Sequence, residues 1–274
     1  MTQAKISFIG AGNMASSIIG GLVQKGFGAG QITATDTYQP TLDKVADSFP
    51  VVTTSDNAAA AVRADVIVLA VKPQVMEQVC SDLRPHLAHK PLIISIAAGI
   101  DIRSLDAWLG NDLAIVRCMP NTPALVQTGA SGLFANERTS DEQKAIAQEI
   151  MEAVGIVQWT ASEDLIDSVI AVSGSGPAYY FLMMEAMIDA GVAQGLSREN
   201  ATELTLQTAL GAAKLAKDSD VDVIELRRRV SSPNGTTERA IQSFEENKLR
   251  DVVSKAMDAC AERSREMARE LGAQ

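Results

Sequence analysis

The chain has 274 residues, a length that predicts two domains at roughly 150 residues each. Its apolar content of 46% suffices for a buried core, and its charged content of 21% is typical of a folded protein. The net charge of −10 argues against binding to nucleic acid or to anionic membranes. No uninterrupted apolar run approaches the roughly 20 residues of a membrane helix, and the N-terminus lacks the pattern of a secretory signal.

The few cysteines and histidines argue against two further kinds of site. Cys80, Cys118 and Cys260 are widely spaced, form no CxxC pair and suit a reducing cytoplasm. The two histidines, His86 and His89, both lie in a stretch that has the pattern of a helix end and turn. We therefore expect no metal site, no histidine-based catalytic triad and a cytoplasmic location.

The first half of the chain alternates short β-branched apolar runs with helical segments, which predicts a parallel sheet covered by helices. The predicted strands are Lys5–Ile9, Ile32–Thr35, Val66–Ala70, Leu92–Ser95, Ala114–Cys118, Ile156–Trp159 and, with a weaker pattern, Ser131–Ala135. The predicted helices are Met14–Lys25, Leu42–Asp47, Val75–Leu87, Ile102–Leu109 and Asp141–Val154. This half is predicted to be a doubly wound α/β domain.

After about Ser162 the strand patterns stop, and the rest of the chain has a helical period near 3.6 residues. The predicted helices are Leu165–Ala171, Ala178–Gln194, Arg198–Ala216, Val223–Arg229, Thr237–Asn247 and Leu249–Leu271. The last helix has one apolar stripe, whereas the Ala178–Gln194 helix is apolar around most of its circumference. We expect an all-helical domain at residues 163–274 that hides this surface in an interlocked homodimer. A monomeric core is the alternative.

The strongest local motif is a strand followed at once by the sequence GAGNMA (Gly10–Ala15) and a helix. Gly10 permits the tight turn, Gly12 allows a pyrophosphate to approach the backbone, and Ala15 lets the helix pack on the strand. The free N–H groups at the helix start can bind phosphate oxygens. A simple glycine turn is the alternative, but the surrounding βαβ pattern favours dinucleotide binding by residues 1–162.

Asp36 follows the second predicted strand, where a carboxylate can accept hydrogen bonds from the ribose hydroxyls of NAD and would repel a 2′-phosphate. The alternative is a solvated turn residue, with Thr35 or Thr37 receiving the phosphate of NADP. The segments Ala70–Pro73 and Ser95–Gly99 end two further strands, at the sheet edge where the cofactor crevice of such folds opens. Their small residues leave room for a nicotinamide.

Three later segments, at 118–123, 172–179 and 230–237, concentrate Gly, Pro and Ser. The last two precede predicted helices, so their backbone N–H groups and hydroxyls can bind an anion without any net positive charge. An ordinary helix cap is the alternative for each of them. Two such helix starts in a chain with a cofactor domain favour a pocket for a carboxylate substrate.

Together these motifs resemble those of the pyrroline-5-carboxylate reductase family along essentially the whole chain. The resemblance is carried by FIGAGNMA (Phe8–Ala15), AVKP (Ala70–Pro73), SIAAG (Ser95–Gly99), MPNTP (Met119–Pro123), SGSGPAY (Ser173–Tyr179), LGAAK (Leu210–Lys214) and VSSPNGTT (Val230–Thr237). Their joint order and spacing are far more specific than the dinucleotide motif alone. The resemblance implies an N-terminal Rossmann-like domain followed by an all-helical dimerisation domain. It also implies reduction of 1-pyrroline-5-carboxylate to L-proline with NADPH or NADH, the final step of proline biosynthesis, by a homo-oligomer that is at least a dimer.

The resemblance further implies which residues form the binding sites. The implied cofactor-binding residues are Ile9, Gly10, Ala11, Gly12, Asn13, Met14, Asp36, Asn57, Ala70, Val71, Lys72, Pro73, Ala97 and Ala98. The implied substrate-binding residues are Glu163, Ser175, Ser231, Ser232, Gly235, Thr236 and Thr237. In this interpretation Thr237 donates to the ring nitrogen and is the catalytic residue, while Ser231, Ser232 and nearby N–H groups hold the carboxylate. A second subunit completes the pocket.

Two positions depart from the family pattern. Arg229 stands where the family has a neutral residue, and Asn234 stands where a second glycine is usual. Asn tolerates a positive φ better than other non-glycine residues, so we expect the turn to survive. Two other functions stay open. A relative of the 6-phosphogluconate and 3-hydroxyacid dehydrogenases would need a catalytic Lys that segment 173–179 lacks, and a non-catalytic NAD(P)-binding redox sensor would need no loop like 231–237.

Overall fold

In a computed structural model of the chain, which describes residues 3–110 and 112–272, the first part of the chain forms one sheet. The strands of the described residues are β1 (Ile6–Ile9), β2 (Ile32–Thr35), β3 (Val52–Thr54), β4 (Val66–Leu69), β5 (Leu92–Ser95), β6 (Ile115–Met119), β7 (Gly129–Ala135) and β8 (Gly155–Trp159). Their order across the sheet is β3-β2-β1-β4-β5-β6-β7-β8. Neighbouring strands are parallel except β6 and β7, which are antiparallel. The predicted Rossmann-like fold is confirmed, with one reversed pair near its far edge.

The helices of the described residues lie between these strands and then fill the rest of the chain. They are α1 (Asn13–Gln24), α2 (Gln39–Ser48), α3 (Asn57–Val62), α4 (Met76–Leu83), α5 (Ile102–Leu109), α6 (Asp141–Glu152), α7 (Leu165–Val169), α8 (Gly176–Ala193), α9 (Arg198–Asp218), α10 (Val223–Arg229), α11 (Thr236–Glu246) and α12 (Leu249–Leu271). The helical second half is confirmed. The predicted helix Val75–Leu87 was too long, because Pro85 interrupts it and a 3₁₀ turn follows Leu83.

The central strands bury side chains on both faces of the sheet. Phe8 and Val68 belong to one apolar core cluster, whereas their neighbours Ile9 and Leu69 belong to the other. Strands buried on both faces read as continuous apolar runs rather than as alternating ones, which is why the pattern of the sequence predicted them. This double core fixes the carboxyl ends of β1, β2, β4 and β5, where the predicted cofactor residues lie.

The chain divides into two compact units, one formed by the chain up to Ser175 together with its end from Cys260, and the other by Gly176–Ala259. In the first unit the end of α12 packs against the sheet domain. The Ser264 hydroxyl donates to Oδ1 of Asp167 at 2.6 Å, and Met267 lies beside Gly99. The predicted domain boundary after residue 162 is not tested by this division and stays a prediction.

The second unit has very little core of its own. Among its described residues only Gly176, Ala201 and Thr205 are buried, while Phe181 is 63% and Leu182 67% exposed in the single chain. An apolar surface this extensive is typical of a contact between proteins. It is the surface that the predicted homodimer would cover. In the part of the chain that the structure describes, no helix is both long and apolar enough to span a membrane.

Candidate active site

The loop that joins β1 to α1 is shaped for the close approach of a ligand to the backbone. Gly10 has a φ of +96°, and a Cβ atom there would lie 2.8 Å from the carbonyl oxygen of Ala70. A Cβ atom at Gly12 would meet nothing within 4 Å, so the space beside its Cα can admit a ligand. Gly12 is also the N-cap residue of α1 and provides no side-chain cap, which leaves the N–H groups of the first turn for phosphate oxygens. These features fit a dinucleotide.

Asp36 lies at the end of β2 and is bonded to this loop. Its Oδ2 atom accepts a hydrogen bond from the N–H of Ala11 at 3.1 Å, and its Oδ1 atom accepts one from the N–H of Tyr38 at 2.9 Å. Thr35, by contrast, is fully buried, and its hydroxyl donates to Oδ1 of Asn57. The alternative in which Thr35 receives a 2′-phosphate was therefore wrong, because its hydroxyl lies inside the fold.

The remaining predicted cofactor residues follow β4 and β5 at the same edge of the sheet. Backbone hydrogen bonds hold these strand ends in register. The N–H of Ala70 donates to the carbonyl oxygen of Ile9 at 2.8 Å, and the N–H of Ile96 donates to that of Leu69 at 3.1 Å. Doubly wound sheets bind dinucleotides at this edge, where the strand order reverses between β1 and β4. The fold thus brings the predicted cofactor residues together, and their role in binding stays a prediction.

Glu163, predicted to bind substrate, takes part in a mostly buried ion pair. Its Oε1 atom accepts hydrogen bonds from Nη1 of Arg117 at 3.0 Å and from the N–H of Ile102 at 2.8 Å. The side chain of Arg117 is only 6% exposed. Arg117 was not predicted to belong to this site, although a charged residue inside a predicted strand signals a paired, buried charge. A cleft of about 480 Å³ is lined by Asp101, Arg117, Glu163, Asp164, Asp167, Arg265, Ala268 and Arg269.

Two of the family-like segments contact each other within the first unit. The Nδ2 atom of Asn121, in the MPNTP segment, donates to the carbonyl oxygen of Ser173 at 3.0 Å. Its Oδ1 atom accepts from the N–H of Ala130 at 2.9 Å. The Oγ atom of Ser175 lies 3.2 Å from Sγ of Cys260. Asn121 was not predicted to have a role of its own, yet its side-chain amide fixes the backbone at Ser173, where the SGSGP segment begins.

The segment Ser231–Thr237 belongs to the second unit and leads into α11. Asn234 has a φ of +60°, which confirms the expectation that it adopts the conformation usual for glycine. The N–H of Asn234 donates to Oε2 of Glu238 at 2.7 Å. Gly235 is the N-cap residue of α11 and supplies no side-chain cap, so the first turn of α11 keeps N–H groups that can bind a carboxylate. The half-buried Thr237 is the second residue of this helix.

Arg229, the charged departure from the family pattern, is paired within its own helix. Its Nε atom donates to Oε1 of Glu225 at 2.9 Å. This hydrogen bond, with the nearby guanidinium of Arg228, holds the pKa of Glu225 below its ordinary value. Arg229 is therefore paired on α10, with a carboxylate that it shares with Arg228.

Two of the cysteines are unsuited to nucleophilic chemistry, since burial raises the pKa of the Cys80 thiol to about 12 and that of the Cys118 thiol still further. Among residues 3–110 and 112–272, no three or more His, Cys, Asp or Glu side chains are grouped so that they could hold a metal ion.

Comparisons with known proteins identify the relatives of this chain. Residues 163–267 match the family described as pyrroline-5-carboxylate reductase dimerisation, and residues 5–99 match the family described as NADP oxidoreductase, coenzyme F420-dependent. A pyrroline-5-carboxylate reductase of Pseudomonas aeruginosa is 54% identical over 272 residues, which cover 99% of this chain and 100% of that protein.

Two solved structures are similar over nearly their whole length. A pyrroline-5-carboxylate reductase from Coxiella burnetii has a TM-score of 0.94 and 45% identity, covering 97% of this chain and 99% of that one. The pyrroline carboxylate reductase of Plasmodium falciparum, solved with NADP bound, has a TM-score of 0.85 and 33% identity, covering 97% and 98%. Identity at these levels over the full length shows the family as well as the fold.

Proposed function

Because the chain belongs to the pyrroline-5-carboxylate reductase family, we propose that it reduces 1-pyrroline-5-carboxylate to L-proline with NADH or NADPH. The observation that carries the proposal is the 54% identity to a reductase of this name over 99% of the chain. That identity spans both the glycine loop before α1 and the segment before α11. Neither a redox sensor nor a 3-hydroxyacid-type dehydrogenase accounts for both of these features.

The first of the two units supplies the binding residues for the cofactor. The first turn of α1 binds the pyrophosphate through its N–H groups, and Gly12 admits it to the backbone. The Ala70–Pro73 and Ala97–Ala98 segments border the nicotinamide half. When bound, the nicotinamide supplies a hydride for the imine carbon of the substrate.

The segment before α11 supplies the groups that hold the substrate. The hydroxyl of Ser232 and the N–H group of Thr236 hold the carboxylate without a cationic side chain. The other two predicted donors are engaged within the loop in this structure: the hydroxyl of Ser231 donates to the carbonyl oxygen of Arg227 at 2.7 Å, and the N–H of Gly235 donates to that of Ser232 at 2.9 Å. Thr237 donates a hydrogen bond to the ring nitrogen, which draws electron density from the C=N bond and makes its carbon a better hydride acceptor. The ring nitrogen of the product gains one proton overall, from this hydroxyl with replacement from water or directly from solvent.

Histidine is not needed for this chemistry, and the histidines of the chain are placed elsewhere. The Nε2 atom of His89 lies 2.9 Å from the carbonyl oxygen of Ala64, which precedes β4, whereas the predicted cofactor residues follow the carboxyl end of that strand. Positioning of the two reactants contributes most of the rate enhancement in this account.

We further propose that the protein works in the cytoplasm as a homodimer. The free thiols of Cys80, Cys118 and Cys260 support a reducing compartment. The match of residues 163–267 to a dimerisation family, together with the exposed apolar residues of α8, supports the homodimer.

The test is a side-by-side assay of NADH and NADPH oxidation by the full-length protein with 1-pyrroline-5-carboxylate, with proline identified by chiral chromatography. We expect one L-proline for each cofactor oxidised and no oxidation when the substrate is omitted. Absence of turnover with both cofactors, in protein that is folded and dimeric, would contradict the proposal.

A further inference from the structure

The carboxylate of Asp36 bonds to the loop between β1 and α1 and lies at the end of β2, where folds of this kind bind the adenosine ribose. We propose that Asp36 acts as a clamp on the glycine loop and, because it is clamped, makes this chain select NADH over NADPH. The inference rests on the function proposed above, since it concerns the cofactor of the same reaction.

The end of β2 holds two consecutive amides of the loop. The N–H of Gly10 donates to the carbonyl oxygen of Thr35 at 3.0 Å, and the N–H of Ala11 donates to Oδ2 of Asp36 at 3.1 Å. Ala11 is only 1% exposed, so no water can replace the carboxylate as acceptor for its N–H without a shift of the loop. Fixing this amide fixes the peptide between Gly10 and Ala11, one residue before the N-cap residue Gly12.

The other carboxylate oxygen is engaged as well. Oδ1 of Asp36 accepts from the N–H of Tyr38 at 2.9 Å, so the side chain is held at both oxygens. A solvated Asp could rotate away from an approaching 2′-phosphate. Rotation of Asp36 would instead leave the buried N–H of Ala11 without an acceptor, which is unfavourable. The negative charge is therefore fixed where the 2′-substituent of the cofactor would lie.

The segment after β2 has no cation to offset this charge. Residues 36–41 read Asp-Thr-Tyr-Gln-Pro-Thr, and the first basic residue after them is Lys44, inside α2. Sites for NADP place a basic side chain beside the 2′-phosphate. Thr35 offers no hydroxyl because its side chain is buried, and the exposed hydroxyl of Thr37 carries no charge. A ribose with a free 2′-hydroxyl can donate to Asp36, whereas a 2′-phosphate can only be repelled.

Two variants test the two parts of the proposal, the charge and the hydrogen bond to the loop, separately. Asp36→Asn keeps one side-chain oxygen that can accept from the buried N–H of Ala11, and it removes the charge, so it should tighten NADP⁺ binding by about tenfold or more. It gives up the bond from the exposed N–H of Tyr38, which water can replace, so the melting temperature of the apoprotein should fall little. Asp36→Ala removes the acceptor as well. It should lower the melting temperature of the apoprotein and weaken binding of both nucleotides, because the loop loses its clamp.

Isothermal titration calorimetry of the full-length protein with NAD⁺ and with NADP⁺, without substrate, measures the two dissociation constants. Thermal unfolding of the apoprotein measures how much the bond between Asp36 and Ala11 contributes to stability. Asp43→Asn is the matched control, since it removes the charge of an exposed carboxylate in α2 whose Oδ1 atom accepts from Nε2 of Gln39 at 2.7 Å. We expect the wild-type protein to bind NAD⁺ more tightly than NADP⁺, and the control to change neither quantity.

Tighter binding of NADP⁺ by the wild-type protein, or equal shifts in Asp36→Asn and Asp43→Asn, would overturn the selection. Equal melting temperatures for the Asp36→Asn and Asp36→Ala variants would overturn the clamp. Selective binding of NAD⁺ without reduction of 1-pyrroline-5-carboxylate would contradict the proposed function and leave this inference standing. Reduction of 1-pyrroline-5-carboxylate with a preference for NADPH would support the proposed function and overturn this inference.

Discussion

The hydroxyl of Thr237 is the group on which the proposed chemical step depends most directly. Thr237→Val keeps the shape of the side chain and removes the donor, so kcat should fall by about 10²-fold while binding of the cofactor persists. Thr237→Ser restores the hydroxyl and should recover most of the rate. Steady-state kinetics at alkaline pH, where the free imine predominates, give the clearest comparison. A kcat near the wild-type value in folded Thr237→Val would mean that Thr237 is a helix residue only and that the proton comes from solvent.

Single residues also show what the sequence could and could not predict. Gly10 and Asn234 were predictable, because a backbone with positive φ admits few residue types and both were found in that conformation. The partner of Glu163 was not predictable, because the ion pair joins positions 46 residues apart and no local pattern encodes it. The hydrogen bond from the N–H of Ala11 to Asp36 was not predictable for the same reason, because the two residues are 25 positions apart.

The ion pair between Arg117 and Glu163 connects β6, the loop after β8 and the start of α5. Glu163→Ala would leave the mostly buried guanidinium unpaired and the N–H of Ile102 without its acceptor, so the free energy of unfolding should fall by about 3 kcal/mol. Urea denaturation measures this loss. The double variant Arg117→Met/Glu163→Ala should recover part of it, because no buried charge is then left alone.

The exposed Glu137 provides a control, since Glu137→Ala should change the stability very little. If Glu163 binds substrate directly, Glu163→Ala should instead raise the KM for 1-pyrroline-5-carboxylate at unchanged stability. That result would contradict the structural role and support the substrate-binding role implied by the family resemblance.

Whole elements were predicted well where they are long and strongly patterned, and poorly where they are short. The strand β3 and the helix α3 were missed. Strand β3 has three residues at the sheet edge, and its Val52 is half exposed, so it lacks the continuous apolar run that marks the central strands. Helix α3 has six residues, mostly alanine, which leaves no room for an amphipathic period to show.

At the level of the whole molecule, the exposed apolar surface of α8 calls for a second copy of the chain to cover it. Phe181→Asp places a charge in the apolar surface of α8 and should shift the protein toward monomers or aggregates with loss of activity. Sedimentation velocity measures the shift, and Glu77→Lys, on the exposed side of α4, is the control that should remain dimeric. A fully active, well-behaved monomer of either the wild-type protein or Phe181→Asp would contradict the dimer.

Truncation of the chain near Asn247 would test the dimer less cleanly. It would remove not only the part of α12 in the second unit but also the part from Cys260 that packs in the first. There Ser264 bonds to Asp167 and Met267 lies beside Gly99, so the cut would also damage the sheet domain. Point substitutions on α8 avoid this.

The central claim is that the chain transfers a hydride from a nicotinamide cofactor to the imine carbon of 1-pyrroline-5-carboxylate. The most direct measurement is a single-turnover reaction with NADH dideuterated at C4 of the nicotinamide, followed by mass and NMR analysis of the product. Hydride transfer to the imine carbon should give L-proline that carries one deuterium, at C5 of the proline ring. Proline without deuterium, deuterium at another carbon, or no proline at all would contradict it.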